Sequence, residues 1–263
     1  MAQPRRLFRV FRFDPQQDRD PVYQTYIVDC QPHWSVLMAL LEIATRKDAS
    51  LAFRRSCRHG ICGSCAMTIN GENRLACETR VASLSREPIE VEPLRSMPVI
   101  KDLVVDLSEL FERYRLVRPY LIAGEAPPQE RLQSPAERRL LDGSYECIMC
   151  GACTSSCPSF WARRDFLGPA ALLAASRWVL DSRDEAGRER LQDIDNAQGL
   201  WRCHNIFNCA EACPQGAQPH EGHSQTAAPG TGPPPERPLK GLHPWTGLPP
   251  CAWPASAPRR GTR

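Results

Sequence analysis

The stretch CIMCGACTSSCP, Cys147–Pro158, places cysteines at 147, 150, 153 and 157 and closes on a proline. A second stretch, CHNIFNCAEACP, Cys203–Pro214, follows the same rhythm with cysteines at 203, 209 and 213, but isoleucine stands at 206. A third group lies upstream in CRHGICGSC, with Cys57, Cys62 and Cys65, followed by Cys77. These groups take eleven of the thirteen cysteines and leave Cys30 and Cys251 alone. No apolar h-region follows the basic residues of MAQPRRLFRVFRFDP, so a secretory signal is not expected. In a reducing compartment, cysteines grouped this tightly point to metal or redox chemistry rather than disulfides.

The spacings are specific. C-x4-C-x2-C…C, from Cys57, Cys62, Cys65 and Cys77, is the plant-type [2Fe–2S] pattern. Gly60 and Gly63 permit positive φ and let backbone N–H groups approach sulfur. Structural zinc, the competing reading, favours paired C-x2-C knuckles and matches this loop poorly. His59 could be a Rieske-type ligand, but four cysteines already complete the set. The run at 147–158 is C-x2-C-x2-C-x3-C-P, the bacterial ferredoxin spacing, in which the fourth cysteine serves the other cluster. That rule assigns Cys147, Cys150, Cys153 and Cys213 to a [4Fe–4S] cluster. It assigns Cys157, Cys203 and Cys209 to a third cluster, whose fourth ligand would fall at Ile206. Isoleucine cannot hold iron, so a [3Fe–4S] cluster is expected; a degraded [4Fe–4S] site with water on one iron is the alternative.

The remaining sequence supplies the frame. Residues 7–13 and 22–30 alternate around DPQQDRDP and predict a β-hairpin. Ser35 is placed to cap a helix in VLMALLEIATR. AMTIN and RLACE predict two strands around a GEN turn, and PIEVEPL predicts another. From Val99 the spacing of Val, Leu and Phe in VIKDLVVDLSELFERYRLV predicts a helix, as do ERRLLDG, GPAALLAASRWVLDSRDE and RERLQDID. The expected class is α+β: a [2Fe–2S] domain over 1–106, then a helical domain over 107–219. Residues 220–263 hold ten prolines and six glycines and lack Ile, Val and Phe, predicting a disordered tail. The net charge of +3 is that tail's own surplus, too small to suggest nucleic acid as a partner. No apolar run reaches membrane-spanning length. Neither G-x-G-x-x-G after a strand nor a P-loop is present, so the chain carries an electron wire and no evident substrate chemistry.

In SCRHGICGSCAM, RLACET, MPVIKDLVVDL, ECIMCGACTSSCPSFW, DFLGPAALLAASRWVLDSRDE and WRCHNIFNCAEACPQG the chain resembles the iron–sulfur subunits of succinate dehydrogenase and, more distantly, fumarate reductase. The resemblance spans about residues 7–216. It implies a β-grasp [2Fe–2S] ferredoxin-like domain before an α-helical ferredoxin domain. It further implies a flavoprotein subunit oxidising succinate on FAD, small membrane-anchor subunits, and a quinone as acceptor. Carried over by motif, the quinone would meet Pro158, Ser159, Trp161, His204 and Ile206. His204 would relay protons, or merely bond a sulfide or carbonyl. The implied location is the cytoplasmic face of a bacterial inner membrane, or the matrix face of the mitochondrial one. Two departures stand out. The family's second tryptophan is Ala162 here, and after CPQG the family's Leu-Asn-Pro turn and closing helix give way to Ala217-Gln218-Pro219 and the proline-rich tail, as a shifted reading frame or a replaced segment would produce. A quinol:fumarate reductase subunit and a soluble ferredoxin-like carrier are the competing functions; a product whose altered C-terminus prevents assembly is a third.

Overall fold

The computed structural model describes residues 5–217, so the tail expected over 220–263 lies outside the described residues. Strands β1 (Arg5–Arg12) and β2 (Val22–Asp29) form the expected antiparallel hairpin, paired from Arg5↔Asp29 to Arg12↔Val22. Alternation sets its faces: Phe8 and Val10 are buried while Arg5 and Arg9 are exposed. The other edge of β1 pairs in parallel with β5 (Ile89–Glu92), which pairs antiparallel with β3 (Ala66–Ile69). The hairpin partner of β3 is β4 (Glu72–Leu75), giving the sheet order β2-β1-β5-β3-β4. Helix α1 (Val36–Arg46) buries Val36, Leu37, Ala39, Leu40 and Ile43 in the apolar core, and Ser35 Oγ caps it by accepting from Met38 N. A mixed five-stranded sheet around one helix is the β-grasp arrangement.

Two local expectations in the first half of the chain are corrected. Asn70 and Gly71, with φ of 51° and 88°, make the β3–β4 turn, so Glu72 and Asn73 belong to the strand instead of the turn. The pairing ends at Leu75, and Cys77 lies beyond the sheet edge where the chain turns away. The segment from Val99 does not begin as a helix. Val99–Lys101 (β6) and Val104–Val105 (β7) form a small hairpin, and α2 (Ser108–Leu116) starts only behind it. Asp102 decides this. It adopts φ 47°, and its buried carboxylate accepts from Phe13 N at 3.0 Å, Ala52 N at 2.9 Å and Arg12 Nε at 3.0 Å. These partners pin the segment to the first domain, and the stiff valines suit strand geometry.

The helical half comprises α2, α3 (Pro135–Arg139), α4 (Ala152–Ser155), α5 (Pro158–Ala162), α6 (Pro169–Val179), α7 (Gly187–Ile194) and α8 (Asn208–Glu211). Helix α3 is shorter and earlier than ERRLLDG suggested, because Ser134 and Glu137 form a capping box that fixes its start. Helix α6 is the central post, with Pro169 through Ser176 all buried. It packs on α2 and α7. Most of the buried apolar side chains form one cluster extending from Phe8 to Leu200, so the core is continuous across both halves.

Candidate iron-sulfur sites

The first cysteine group sits at one end of the sheet. Cys57 and Cys62 occupy a loop, Cys65 directly precedes β3, and Cys77 follows β4. Arg58, Gly60 and Gly63 take φ of 66°, 80° and 69°, curling the loop so that N–H groups turn inward. Cys62 N donates to Cys57 Sγ at 3.2 Å and Ile61 N does so at 3.4 Å, while Cys57 N donates to Cys62 Sγ at 3.4 Å. The N–H groups of His59, Cys62 and Ile61 hold the Cys57 thiol down to about 6. Burial pushes Cys77 up to about 12, reinforced by its neighbour Cys65 and opposed by the Gly60 N–H. His59 is exposed, with Nδ1 2.6 Å from Cys57 O, as fits a loop residue.

The second and third groups interleave. Cys147, Cys150, Cys153 and Cys213 line one cavity of about 370 Å³, part of it open to solvent, together with Ile148, Met149, Ala170, Leu173 and Ala217. Cys157, Cys203 and Cys209 line another of about 360 Å³ with Pro158, Ser159, Phe166, Pro169, His204, Asn205, Ile206, Phe207 and Asn208. The structure thus brings Cys213 to the 147–153 run and Cys157 to the 203–209 run. Backbone N–H groups again point at sulfur: Met149 to Cys147, Ala152 to Cys150, Asn205 to Cys203 and Ala210 to Cys209. Left-handed backbone recurs at Met149, Gly151, Asn205 and Phe207. Three of these four carry side chains, so the loops hold strain that a bound group can offset.

The donor chemistry fits polynuclear iron. Burial pushes Cys150 and Cys209 each up to about 11, and Cys153 well above the ordinary thiol value. Neighbouring thiols add to each rise, Cys147 and Cys213 acting on Cys150 and Cys157 and Cys203 acting on Cys209. Such a set becomes thiolate only around concentrated positive charge. No disulfide joins any of the twelve cysteines among the described residues. Among those residues no three His, Cys, Asp or Glu side chains converge closely enough for a single ion. Zinc needs its sulfurs about 2.3 Å from one centre. Thiols standing around cavities suit a group with several iron atoms.

Of the five residues carried over for quinone, Pro158, Ser159, His204 and Ile206 line the third-group cavity and Trp161 does not. The indole N–H of Trp161 donates to Ser155 O at 2.7 Å, and Ala162 offers no donor. Ile206 and Phe207 are about half exposed. The cavity also takes in Phe166, Pro169, Asn205, Phe207 and Asn208, outside the expected set; adjacency to the cysteines at 203 and 209 is the local sign that marks the last three.

The comparisons agree with this architecture. The model of a 2Fe-2S iron-sulfur cluster binding domain matches residues 7–112, and that of a 4Fe-4S dicluster domain matches 143–217. The succinate dehydrogenase iron-sulfur subunit of Paracoccus denitrificans is 48% identical over 219 residues, which is 81% of this chain and 83% of that one. The mitochondrial succinate dehydrogenase [ubiquinone] iron-sulfur subunit 1 of Oryza sativa subsp. japonica is 48% identical over 220 residues, 81% of this chain and 77% of the other. A chain of the Mycobacterium smegmatis Sdh1 complex in the apo form superposes with a TM-score of 0.77 at 27% identity, covering 86% of this chain and 95% of its own. Cysteine groups, fold and relatives converge: the chain belongs to the family of succinate dehydrogenase iron–sulfur subunits.

Proposed function

We propose that this chain is the electron relay of a succinate:quinone oxidoreductase, with Cys57, Cys62, Cys65 and Cys77 holding [2Fe–2S], Cys147, Cys150, Cys153 and Cys213 holding [4Fe–4S], and Cys157, Cys203 and Cys209 holding [3Fe–4S]. The observation that carries this reading is the division of the seven thiols of the second and third groups between two cavities, four and three, with Ile206 lining the cavity of the set of three. When bound, the clusters supply one-electron transfer between a flavin and a quinone. The chain's own residues do the rest. Inward N–H groups hold negative charge at sulfur, and apolar walls such as Ala170 and Leu173 keep water from the second cluster. Ile206 leaves one corner without a ligand.

The finer assignments follow the same reading. Domain limits at 1–106 and 107–219 divide the [2Fe–2S] half from the helical half. A flavoprotein subunit carrying FAD delivers electrons, and membrane-anchor subunits complete a quinone pocket at Pro158, Ser159, His204 and Ile206. Because Trp161 already bonds Ser155 O, Ala162 has no side-chain donor and the Ser159 side chain bonds Cys157, a quinone carbonyl takes its hydrogen bond from His204. No helix among the described residues is long and apolar enough to cross a membrane. Attachment therefore falls to the anchors, on the cytoplasmic face of a bacterial inner membrane or the matrix face of the mitochondrial one.

Purification from native membranes tests this. The expected result is co-purification with a flavoprotein and anchor subunits, and reduction of the chain's clusters on adding succinate. A chain that fractionates alone, with clusters unresponsive to succinate in the presence of the membranes, would refute the proposal and favour a free carrier.

A further inference from the structure

Contacts between the first and second cysteine groups join residues far apart in sequence. Gly63 lies directly against the second group: a Cβ built on it would stand 2.8 Å from Cys150 Cβ and 3.0 Å from both Cys150 Cα and Ile148 O. Gln215, two residues past Cys213, donates from Nε2 to Gly60 O at 2.8 Å. The N–H of Gly60 donates to Cys77 Sγ, so the backbone of one residue links a thiol of the first group to the segment behind a thiol of the second. Asn73, in β4 between Cys65 and Cys77, donates from Nδ2 to Ala152 O at 2.9 Å. Ala152 in turn donates its N–H to Cys150 Sγ. The Asn73 amide is oriented by Thr68, whose buried hydroxyl lies 2.9 Å from Oδ1.

We propose that Asn73, Gln215 and the bare Cα of Gly63 are positioning residues that set the gap between the first and second clusters. This rests on the ligand assignment above. Electron tunnelling falls exponentially with separation, so a gap held by two hydrogen bonds and one backbone contact sets the rate of that step more sharply than any bulk property. Precision of about 0.5 Å is what such a site requires of its supporting shell. Ligand thiolates fix Cys150 to its own cluster. The Gly63 loop, with Cys57, Cys62 and Cys65, must therefore yield when a methyl group is added at Gly63. Ordinary contact begins near 3.4 Å, against the 2.8 Å found for that added carbon.

The test uses the full chain, anaerobically reconstituted with iron and sulfide and reduced with a low-potential reductant. Pulsed electron paramagnetic resonance reads the spin relaxation of the reduced first centre, which a paramagnetic second centre accelerates steeply with proximity. Gly63→Ala and the double variant Asn73→Ala/Gln215→Ala are each expected to lose part of that acceleration while both signals keep their integrated intensity. Gly71→Ala is the control: Gly71 has φ 88° and nothing within 4 Å of an added Cβ, so it carries the backbone penalty without the contact and leaves relaxation unchanged. Should Gly63→Ala fail to assemble the first centre, the double variant decides. Wild-type relaxation in the double variant, with both centres present, overturns the proposal even if its melting temperature falls. Absence of either centre from the wild-type chain would instead refute the ligand assignment, and the proposal with it.

Discussion

Replacing Arg190 with alanine is expected to cost more than any other single substitution outside the cysteine groups. The side chains of Arg190 and Asp184 are 1% and 0% exposed and meet as a two-point pair, Nη2 to Oδ2 at 2.8 Å and Nε to Oδ1 at 3.0 Å. The same guanidinium donates to Val117 O at 3.0 Å, to Tyr120 O at 2.6 Å and to Arg118 O, gathering the chain that leaves α2. Asp184 also accepts from Ile122 N at 2.9 Å and Ala186 N at 3.0 Å. Burial pushes the Asp184 carboxyl up, yet Arg190 and these N–H groups bring it below the usual carboxylate range. Arg190→Ala strands that charge and frees three carbonyls. Breaking one partner of a buried pair costs about 3–5 kcal/mol. At about 2–4 °C per kcal/mol for a chain of this size, the melting temperature should fall by about 10 °C. The assay is thermal unfolding of the cluster-loaded chain at one scan rate, for Arg190→Ala, Asp184→Ala and the double variant. The double variant should lose at least about 2 kcal/mol less than the sum of the singles, because neither charge is then left alone. A single-variant loss under about 1 kcal/mol, or simple additivity, would refute the reasoning.

Three further outcomes are expected. Ile206→Cys should supply a fourth thiolate to the third group, convert its resonance from a [3Fe–4S] to a [4Fe–4S] type and lower its potential; an unchanged spectrum would remove Ile206 as the vacant position. Asp181 is buried, and hydrogen bonds from Arg183, then Arg177, hold its carboxyl down to about 2, against burial. A depressed pKa contributes stability that is complete above the unfolded value near 4 and lost as pH falls toward about 2, here roughly 2–3 kcal/mol. The stability gap between wild type and Asp181→Asn in denaturant should therefore narrow from pH 5 to pH 3, whereas a constant gap would contradict the assignment. Asp102→Ala should destabilise by about 2–4 kcal/mol in the same assay, since it leaves Arg12 Nε and the Phe13 and Ala52 N–H groups without their acceptor, although the Arg12 guanidinium keeps Asp48; a loss within 0.5 kcal/mol, typical of a plain surface site, would show that the β6–β7 reversal is held by something else.

The grouping of the cysteines is legible because their spacing is a local property of the chain, and the structure places Cys213 beside the 147–153 run and Cys157 beside Cys203 and Cys209. The first hairpin and the Ser35 cap were legible for the same reason. What could not be read depended on distant partners. Val99–Val105 carries helix-compatible spacing, and bonds to Asp102 from Arg12, Phe13 and Ala52, 50 or more residues away, hold it as a hairpin. Asn73 and Gln215 are ordinary polar residues in the sequence, and their bonds to Ala152 and Gly60 span 79 and 155 residues. Gly63 was marked for its φ, which the structure gives as 69°, but its contact with Cys150 had no local sign.

The central claim is that the third thiol set holds three irons because Ile206 contributes no ligand. Low-temperature electron paramagnetic resonance of the oxidised, reductant-free chain tests it most directly, because an oxidised [3Fe–4S] centre is paramagnetic while oxidised [2Fe–2S] and [4Fe–4S] centres are silent. A [3Fe–4S] signal is expected before any reductant is added, and is expected to be lost in Ile206→Cys. A fully reconstituted wild-type chain that is silent when oxidised, with its third centre appearing only on reduction, would contradict it.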